Sequence, residues 1–180
     1  MKKILIILTI LINLYNCKAQ TVYNFGTPIE NIVDYNNSYI KDIDNHHDEI
    51  VGVWKWEIGN SFFEITLQEF EHYSYPSTST QFSDDIFGKY KYVVNGNTIA
   101  EVNNINPLPS FNLSLTYNTP IEYSVVIRDI VSGKVKVGKF RLTSSNTANL
   151  ELWDREGVNI GGNNSIIPFS LPISVTLTKQ

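Results

Sequence analysis

The chain has 180 residues, with 14 Lys and Arg against 18 Asp and Glu and a formal charge of −4. Lys2 and Lys3 belong to an apolar leader, so residues 17–180 carry a formal charge of about −6. This acidic balance disfavours nucleic-acid binding, which needs a basic patch, and polybasic attraction to anionic lipid. The single cysteine, Cys17, excludes an internal disulfide and a zinc–thiolate cluster.

The chain begins with the two lysines and the apolar run Ile4–Ile12, a pattern that is typical of an export signal. The run is shorter than the roughly 20 apolar residues that a transmembrane helix needs. Cleavage before Cys17 would leave its sulfur to carry a lipid, whereas cleavage after Ala19 would discard it. We predict an export signal over residues 1–16 and a membrane-anchored envelope lipoprotein attached through Cys17. The alternative is a secreted or periplasmic protein cleaved after Ala19.

Residues 17–33 show no sustained period, which predicts an extended tether in front of one β-rich domain over residues 34–180. Within residues 34–48, Tyr35, Tyr39 and Ile43 recur every four residues. This spacing predicts one short helix that packs against the rest of the domain.

From residue 50 the apolar period becomes two, which predicts half-buried strands. Strands are expected over residues 50–58, 61–73, 86–94, 98–102, 111–115, 121–130, 134–143, 149–154 and 173–178. Gly59–Asn60 is a two-residue hairpin signal, residues 74–85 form a polar loop, and the alternation shifts by one at Gly138, which indicates a β-bulge. The pattern predicts an all-β fold, an antiparallel barrel or strongly curved half-barrel of about eight or nine strands.

Gly52-Val53-Trp54 opens the first of these strands and resembles the G-x-W signature of lipocalin-like barrels. The resemblance implies that Trp54 closes one barrel end beneath an Arg from a late strand, with Arg141 the first choice and Arg155 the second. It also implies an interior that binds a small apolar ligand. The candidate residues for the ligand or the barrel end are Trp54, Trp56, Arg141, Tyr90, Tyr92 and Tyr123.

Longer blocks extend over nearly the whole chain. They are Cys17–Gln20, Tyr39–Asp42, Val51–Trp56, Phe87–Tyr92 and Leu171–Gln180. Together they resemble a family of uncharacterised flavobacterial envelope proteins with a domain of unknown function. The resemblance implies a β-rich domain behind a lipoprotein-type signal, and it brings no catalytic residues.

The densest group of potential metal ligands is Asp42–Glu49. It fails as a calcium loop because His47 stands where the turn needs Gly and Val53 where a Glu closes the site. On a helix, His46 and His47 would point about 100° apart and would not share one ion, even if His72 supplied a third ligand. We therefore predict a solvated polar helix end, no metal site and no cofactor.

Enzymatic motifs are missing from the sequence: there is no G-x-S-x-G elbow and no phosphate-binding loop. Carboxylates on strands and loops, such as Asp84, are expected to be solvated.

Tyr73, Tyr75 and Phe82 near the 74–85 loop are candidates for recognition of a sugar or a protein. We expect a non-catalytic envelope lipoprotein that binds a small apolar ligand, or a partner at its loop end. The alternatives are a structural or interaction module with a filled core and, with less support, a hydrolase.

Overall fold

The computed structural model describes residues 20–33, 35–74, 80–105, 113–154 and 167–180. Within these ranges the chain forms eleven β-strands and three single turns of 3-10 helix. The strands are β1 Thr21–Asn24, β2 Ser38–Lys41, β3 Gly52–Ile58, β4 Ser61–Tyr73, β5 Phe82–Val94, β6 Asn97–Glu101, β7 Leu113–Thr119, β8 Glu122–Arg128, β9 Val135–Ser144, β10 Thr147–Trp153 and β11 Ser174–Lys179. The turns are Ile29–Asn31, Tyr35–Asn37 and His46–Glu49. In these ranges no helix has the length and apolar character to cross a bilayer.

Eight of the strands close into an antiparallel barrel. β3, β4 and β5 are neighbours, β7 pairs with β5, and β7 to β11 continue around the ring in chain order. The last strand then returns to the first, with Thr178 opposite Lys55 and Lys179 opposite Trp54. Full closure leaves the ring without an open edge. The predicted all-β antiparallel barrel is therefore confirmed, in its closed form.

The other three strands lie outside the ring. β1 pairs with β2, and β2 pairs with the first residues of β5, both in parallel register. β6 forms a hairpin with the last residues of β5. An extended tether was predicted over residues 17–33, and within it β1 belongs to the sheet and Phe25 packs on the His47 ring at a centroid distance of 4.8 Å.

The helix predicted over residues 34–48 is wrong. The 3-10 turn at Tyr35–Asn37 leads into β2, and the 3-10 turn at His46–Glu49 follows it. Tyr39 lies within β2, where parallel pairing with β1 requires an extended backbone. Asn45 has a φ of 56°, in the left-handed region that stops a right-handed helix.

The hairpin at Gly59–Asn60 and the strand on each side of it are confirmed. The polar loop predicted over residues 74–85 is too long, because β5 begins at Phe82 and pairs with β2 there.

The bulge predicted at Gly138 is also absent, since β9 keeps an unbroken register with both neighbours around this residue. Gly138 instead points into the barrel, in phase with Phe140 and Leu142. A Cβ at this position would lie 2.0 Å from the carbonyl oxygen of Glu151 on β10. The apparent shift in the sequence therefore marks a close approach of two strands, which only glycine permits.

Side chains of the described strands form a buried core inside the barrel. The large buried side chains that point inward include Trp54, Phe63, Ile65, Tyr90, Tyr123, Phe140 and Leu177. Trp54 meets Phe140 edge to face at 5.2 Å, and Phe63 meets Tyr90 at 6.3 Å. Each such side chain contributes about 1.5–3 kcal/mol by burial, so this packed core is what stabilises the barrel.

Chain segments cover both ends. We call the end at which β3 begins the cap end, and the segment over residues 42–50 that covers it the cap. Ile50 of the cap is fully buried. At the opposite end Leu171 enters the core and Phe169 packs against it. Ser170, between them, binds Asp129 in the β8–β9 turn.

Candidate functional site at the cap end

Trp54 is fully buried at the cap end of the barrel. Its Nε1 donates to the carbonyl oxygen of Ile50 at 2.7 Å. The cation over its ring belongs to Lys179, with Nζ 5.5 Å from the ring centroid. The same Nζ donates to the carbonyl oxygens of Asp48 at 3.2 Å and Glu49 at 2.8 Å. Lys179 therefore ties the end of β11 to the cap.

The prediction that Arg141 covers Trp54 is wrong. Strand alternation points Phe140 inward and Arg141 outward, where its Nε donates to Glu122 Oε2 at 2.9 Å. Lys139 lies on the same outer face, with Nζ 2.8 Å from Glu122 Oε1. The hydrogen bond from Lys139 lowers the pKa of Glu122 most, and the hydrogen bond from Arg141 lowers it further. The second choice, Arg155, lies outside the described residues.

Three of the predicted ligand-contacting aromatics pack in the core. The Tyr90 hydroxyl donates to the carbonyl oxygen of Arg128 at 2.6 Å and accepts from the Ile130 N–H at 3.0 Å. Burial raises the pKa of Tyr90 to about 12. Trp56 and Tyr92 are half-buried against the same core. These contacts hold the three side chains within the barrel's own packing.

The aromatic residues predicted for loop recognition fold back onto the sheet where they are described. Phe82 stacks on His72 at a centroid distance of 4.0 Å. Tyr73 meets Phe87 edge to face at 5.2 Å. Tyr75 lies outside the described residues.

A buried polar cluster lies where the cap meets β4. It comprises Asp42, His47 and Glu69, and one potential ligand atom from each lies within 4.8 Å of the other two. Asp42 is 6% exposed, His47 is 1% exposed, and Glu69 is half-buried. His47 Nδ1 is 2.8 Å from Glu69 Oε1 and 4.0 Å from Asp42 Oδ2. The prediction of a solvated helix end is wrong for Asp42 and His47.

Local structure explains how these three residues meet. Asp42 follows β2, and its backbone N–H donates to Asp84 Oδ2 at 2.9 Å. The left-handed residue Asn45 then reverses the chain, so that the His47 N–H donates to Asp42 Oδ2 at 2.7 Å. Glu69 lies on the inward face of β4, one step beyond its last buried aliphatic residue.

Asp84 is a third buried carboxylate beside this cluster, although a solvated side chain was expected. Its Oδ1 accepts from the Tyr39 hydroxyl at 2.5 Å and from the His72 N–H at 3.0 Å. Burial and the bond to Asp84 raise the pKa of Tyr39. Since protein donors already occupy both of its oxygens, Asp84 acts as a scaffold for β2 and the cap.

Two buried side-chain atoms in the described part of the chain have no hydrogen-bond partner, and both lie at this cluster. They are Asp42 Oδ1 and the hydroxyl oxygen of Tyr123. The Tyr123 ring lies 5.9 Å from the His47 imidazole, between centroids. Burial, followed by the charge of Asp42, raises the pKa of Tyr123, so its hydroxyl stays protonated. An unpartnered buried oxygen costs about 1–3 kcal/mol, so this site has unused bonding capacity.

The surroundings of Glu69 shift its pKa in opposite directions. Burial raises the pKa of this carboxyl, while the hydrogen bond with His47 lowers it, and the net shift is upward. The charges of Asp84 and Asp42 also raise it. Carboxylate oxygens and an imidazole nitrogen are a donor set that divalent transition-metal ions accept.

Sequence reasoning identified two members of the cluster as possible ligands and missed Glu69. One signal was present: Glu69 continues the inward alternation of Phe63, Ile65 and Leu67 in β4. A carboxylate in phase with a buried face is unusual and marks a position that needs a partner.

The outer strand faces of the described barrel carry surface pockets. One, of about 320 Å³, is lined by Lys139, Arg141, Asn149, Glu151 and Trp153 on β9 and β10. The other, of about 480 Å³, lies across β3 to β6 and includes Lys55 and Phe62. Both are polar surface features that lie outside the barrel wall.

Cys17 lies outside the described residues, so lipid attachment stays a prediction. Comparison with curated proteins and with solved structures found no match. One family model, described as a family of unknown function, matches residues 1–180. This agrees with the expectation of a domain of unknown function, whereas a flavobacterial or lipoprotein origin stays a prediction. The chain belongs to this family, DUF6705.

Proposed function

We propose that this chain is a non-catalytic envelope lipoprotein whose barrel is a filled structural core and whose outer surface meets a partner. The filled interior carries the proposal. Trp54, Phe63, Tyr123 and Phe140 are buried in the space where a ligand-binding barrel would hold an apolar molecule. The closed ends add support, because the cap and Leu171 cover the two openings through which such a ligand would enter.

The export segment supports the location. Lys2 and Lys3 with the run Ile4–Ile12 form a signal-like leader, and Cys17 is the one residue able to carry a thioether-linked lipid. β1 begins at Thr21, four residues further on. Four extended residues reach at most about 14 Å, so a lipid on Cys17 would hold the barrel against the membrane surface.

A binding titration tests the filled interior. A fluorescent long-chain fatty acid is added to the purified protein, with serum albumin as the positive control. We expect no saturable binding to the folded barrel. One-to-one binding that also changes Trp fluorescence would overturn the proposal, because Trp54 and Trp56 line the interior.

Detergent partitioning tests the anchor separately. Wild-type protein expressed with its leader should enter the detergent phase, and Cys17→Ser should stay in the aqueous phase. If both variants stay in the aqueous phase, lipid attachment is wrong and the alternative of a secreted or periplasmic protein replaces it.

A second candidate function follows from the outer pocket on β9 and β10. Trp153 is 43% exposed there, beside Arg141 and Glu151. An exposed indole flanked by hydrogen-bonding side chains suits stacking against a saccharide. Glycan binding lost in Trp153→Ala and retained in Trp153→Phe supports this function, and binding unchanged in Trp153→Ala contradicts it.

A further inference from the structure

We propose that Asp42, His47 and Glu69 bind one divalent transition-metal ion, Zn²⁺ foremost, at the cap end of the barrel. The site is independent of the proposed function, since it concerns neither the outer surface nor the anchor. It is built from the three residues whose potential ligand atoms lie within 4.8 Å of one another.

The spacing fits a small ion. Tetrahedral zinc with ligands at 2.0–2.1 Å separates them from each other by about 3.3 Å. His47 Nδ1 lies 2.8 Å from Glu69 Oε1 and 4.0 Å from Asp42 Oδ2, on either side of that value. All three ligand atoms lie within 4.8 Å of one another, so binding one ion would require the side chains to rotate toward it.

An unused lone pair points to the ligand independently of the spacing. Asp42 Oδ2 already accepts from the His47 N–H at 2.7 Å, whereas Asp42 Oδ1 is buried with no partner. The hydroxyl of fully buried Tyr123, which packs on His47, is unpartnered too. A metal ion bound by Asp42 would satisfy the first atom, and a ligand completing its coordination would reach the second.

The charge of the cluster also favours a bound divalent cation. Asp42 and Glu69 share one ion-pair partner, His47. Lys179 of β11, which contacts the cap, is already engaged with Trp54 and two cap carbonyls. A divalent ion bound by both carboxylates would offset their negative charge.

The donor set also favours one kind of metal ion over another. One nitrogen and two carboxylates in a buried site match Zn²⁺, whereas Ca²⁺ takes six to eight oxygen ligands. Asp42 and His47 belong to the cap, and Glu69 to the barrel wall. The ion would therefore fasten the cap to β4, and zinc binding would stabilise the fold.

The test is calorimetric titration of the purified full chain, stripped with EDTA, with Zn²⁺ and separately with Ca²⁺ and Mg²⁺. We expect one Zn²⁺ per chain and at least 10-fold weaker binding of the other two ions. At 100-fold excess over Kd, the melting temperature should rise by about 5–10 °C. Absence of stoichiometric Zn²⁺ binding overturns the site.

Adjacent histidines provide a matched control. His47→Gln and Glu69→Gln should each weaken Zn²⁺ binding by at least 10-fold. His46→Gln should leave it unchanged, because His46 stacks on Tyr117 and lies outside the cluster. Equal losses in His46→Gln and His47→Gln contradict the assignment.

X-ray absorption spectroscopy of the zinc-loaded wild-type protein tests the site without relying on a variant that has to fold. A shell of nitrogen and oxygen at about 2.0–2.1 Å supports the site. A sulfur at about 2.3 Å would place the ion on Cys17 and overturn the proposal.

Discussion

Lys179 lies over the indole of Trp54, with its Nζ 5.5 Å from the ring centroid. The two residues are paired across β11 and β3, at the seam where the barrel closes. Lys179 also donates to the carbonyls of Asp48 and Glu49, so one side chain joins the seam, the buried Trp and the cap.

Lys179→Gln should lower the free energy of unfolding by about 1–2 kcal/mol, through loss of the cation–π contact and the charged donor to the cap. Urea denaturation measures the change. Lys134→Gln, at an exposed turn position, is the control and should stay within about 0.5 kcal/mol of wild type. Equal effects of the two changes would show that Lys179 does not tie the cap to the barrel.

Trp54→Phe should cost about 1–3 kcal/mol, because it removes the Nε1 donor that satisfies the buried carbonyl of Ile50 and leaves a void in the core. Trp153→Phe is the matched control at a half-exposed position and should have little effect. Thermal unfolding of both variants provides the comparison. A neutral Trp54→Phe would contradict the role of Trp54 in holding the cap.

The period-two alternation predicted most of the barrel strands, because one face of each meets a buried core. A four-residue spacing misled at Tyr39, because this residue extends to pair with β1 instead of forming a helix. The period-two alternation misled at Gly138, where a residue with no side chain occupies an inward position. Barrel closure through β11 and β3 is a long-range pairing that no local pattern encodes.

Gly138→Ala should destabilise the barrel by about 3 kcal/mol or more, or prevent folding, because the added Cβ meets a β10 backbone oxygen at 2.0 Å. Gly59→Ala is the comparison: nothing lies within 4 Å of its Cβ, but its φ of 57° gives a strain cost of about 1 kcal/mol. Gly138→Ala should therefore have a lower melting temperature than Gly59→Ala. The reverse order would mean that β9 and β10 are not closely apposed at Gly138.

Asp129 closes the end opposite the cap. It is fully buried and accepts four hydrogen bonds, from the Ser132 hydroxyl, the Val131 N–H and both the N–H and hydroxyl of Ser170. Burial alone would raise the pKa of Asp129, but these bonds together lower it below the usual 3.8. Its stabilisation is therefore complete above about pH 4 and is lost as the pH falls through the lowered pKa.

Asp129→Asn should cost about 2–3 kcal/mol at pH 7, with a difference from wild type that shrinks below about pH 4. Urea unfolding at several pH values measures both effects. Asp154→Asn, whose side chain is 90% exposed, should be neutral throughout. A penalty for Asp129→Asn that stays constant down to pH 2 would contradict a charge-dependent role.

The candidate site was harder to predict than the fold. Asp42 and His47 stand out in the sequence, but their convergence depends on the left-handed turn at Asn45 and the inward placement of Glu69, 22 residues beyond His47. The cover on Trp54 was assigned to the wrong cation because the resemblance to lipocalin-like barrels implies an Arg, whereas the cation over the indole is Lys179, the strand partner of Trp54 at the closing seam.

The most direct test of the filled barrel is native mass spectrometry of the mature protein purified from cells that export it. We expect the mass of the polypeptide and its lipid, with at most one divalent metal ion bound noncovalently. An organic molecule of several hundred daltons, bound near one-to-one in every preparation, would contradict it.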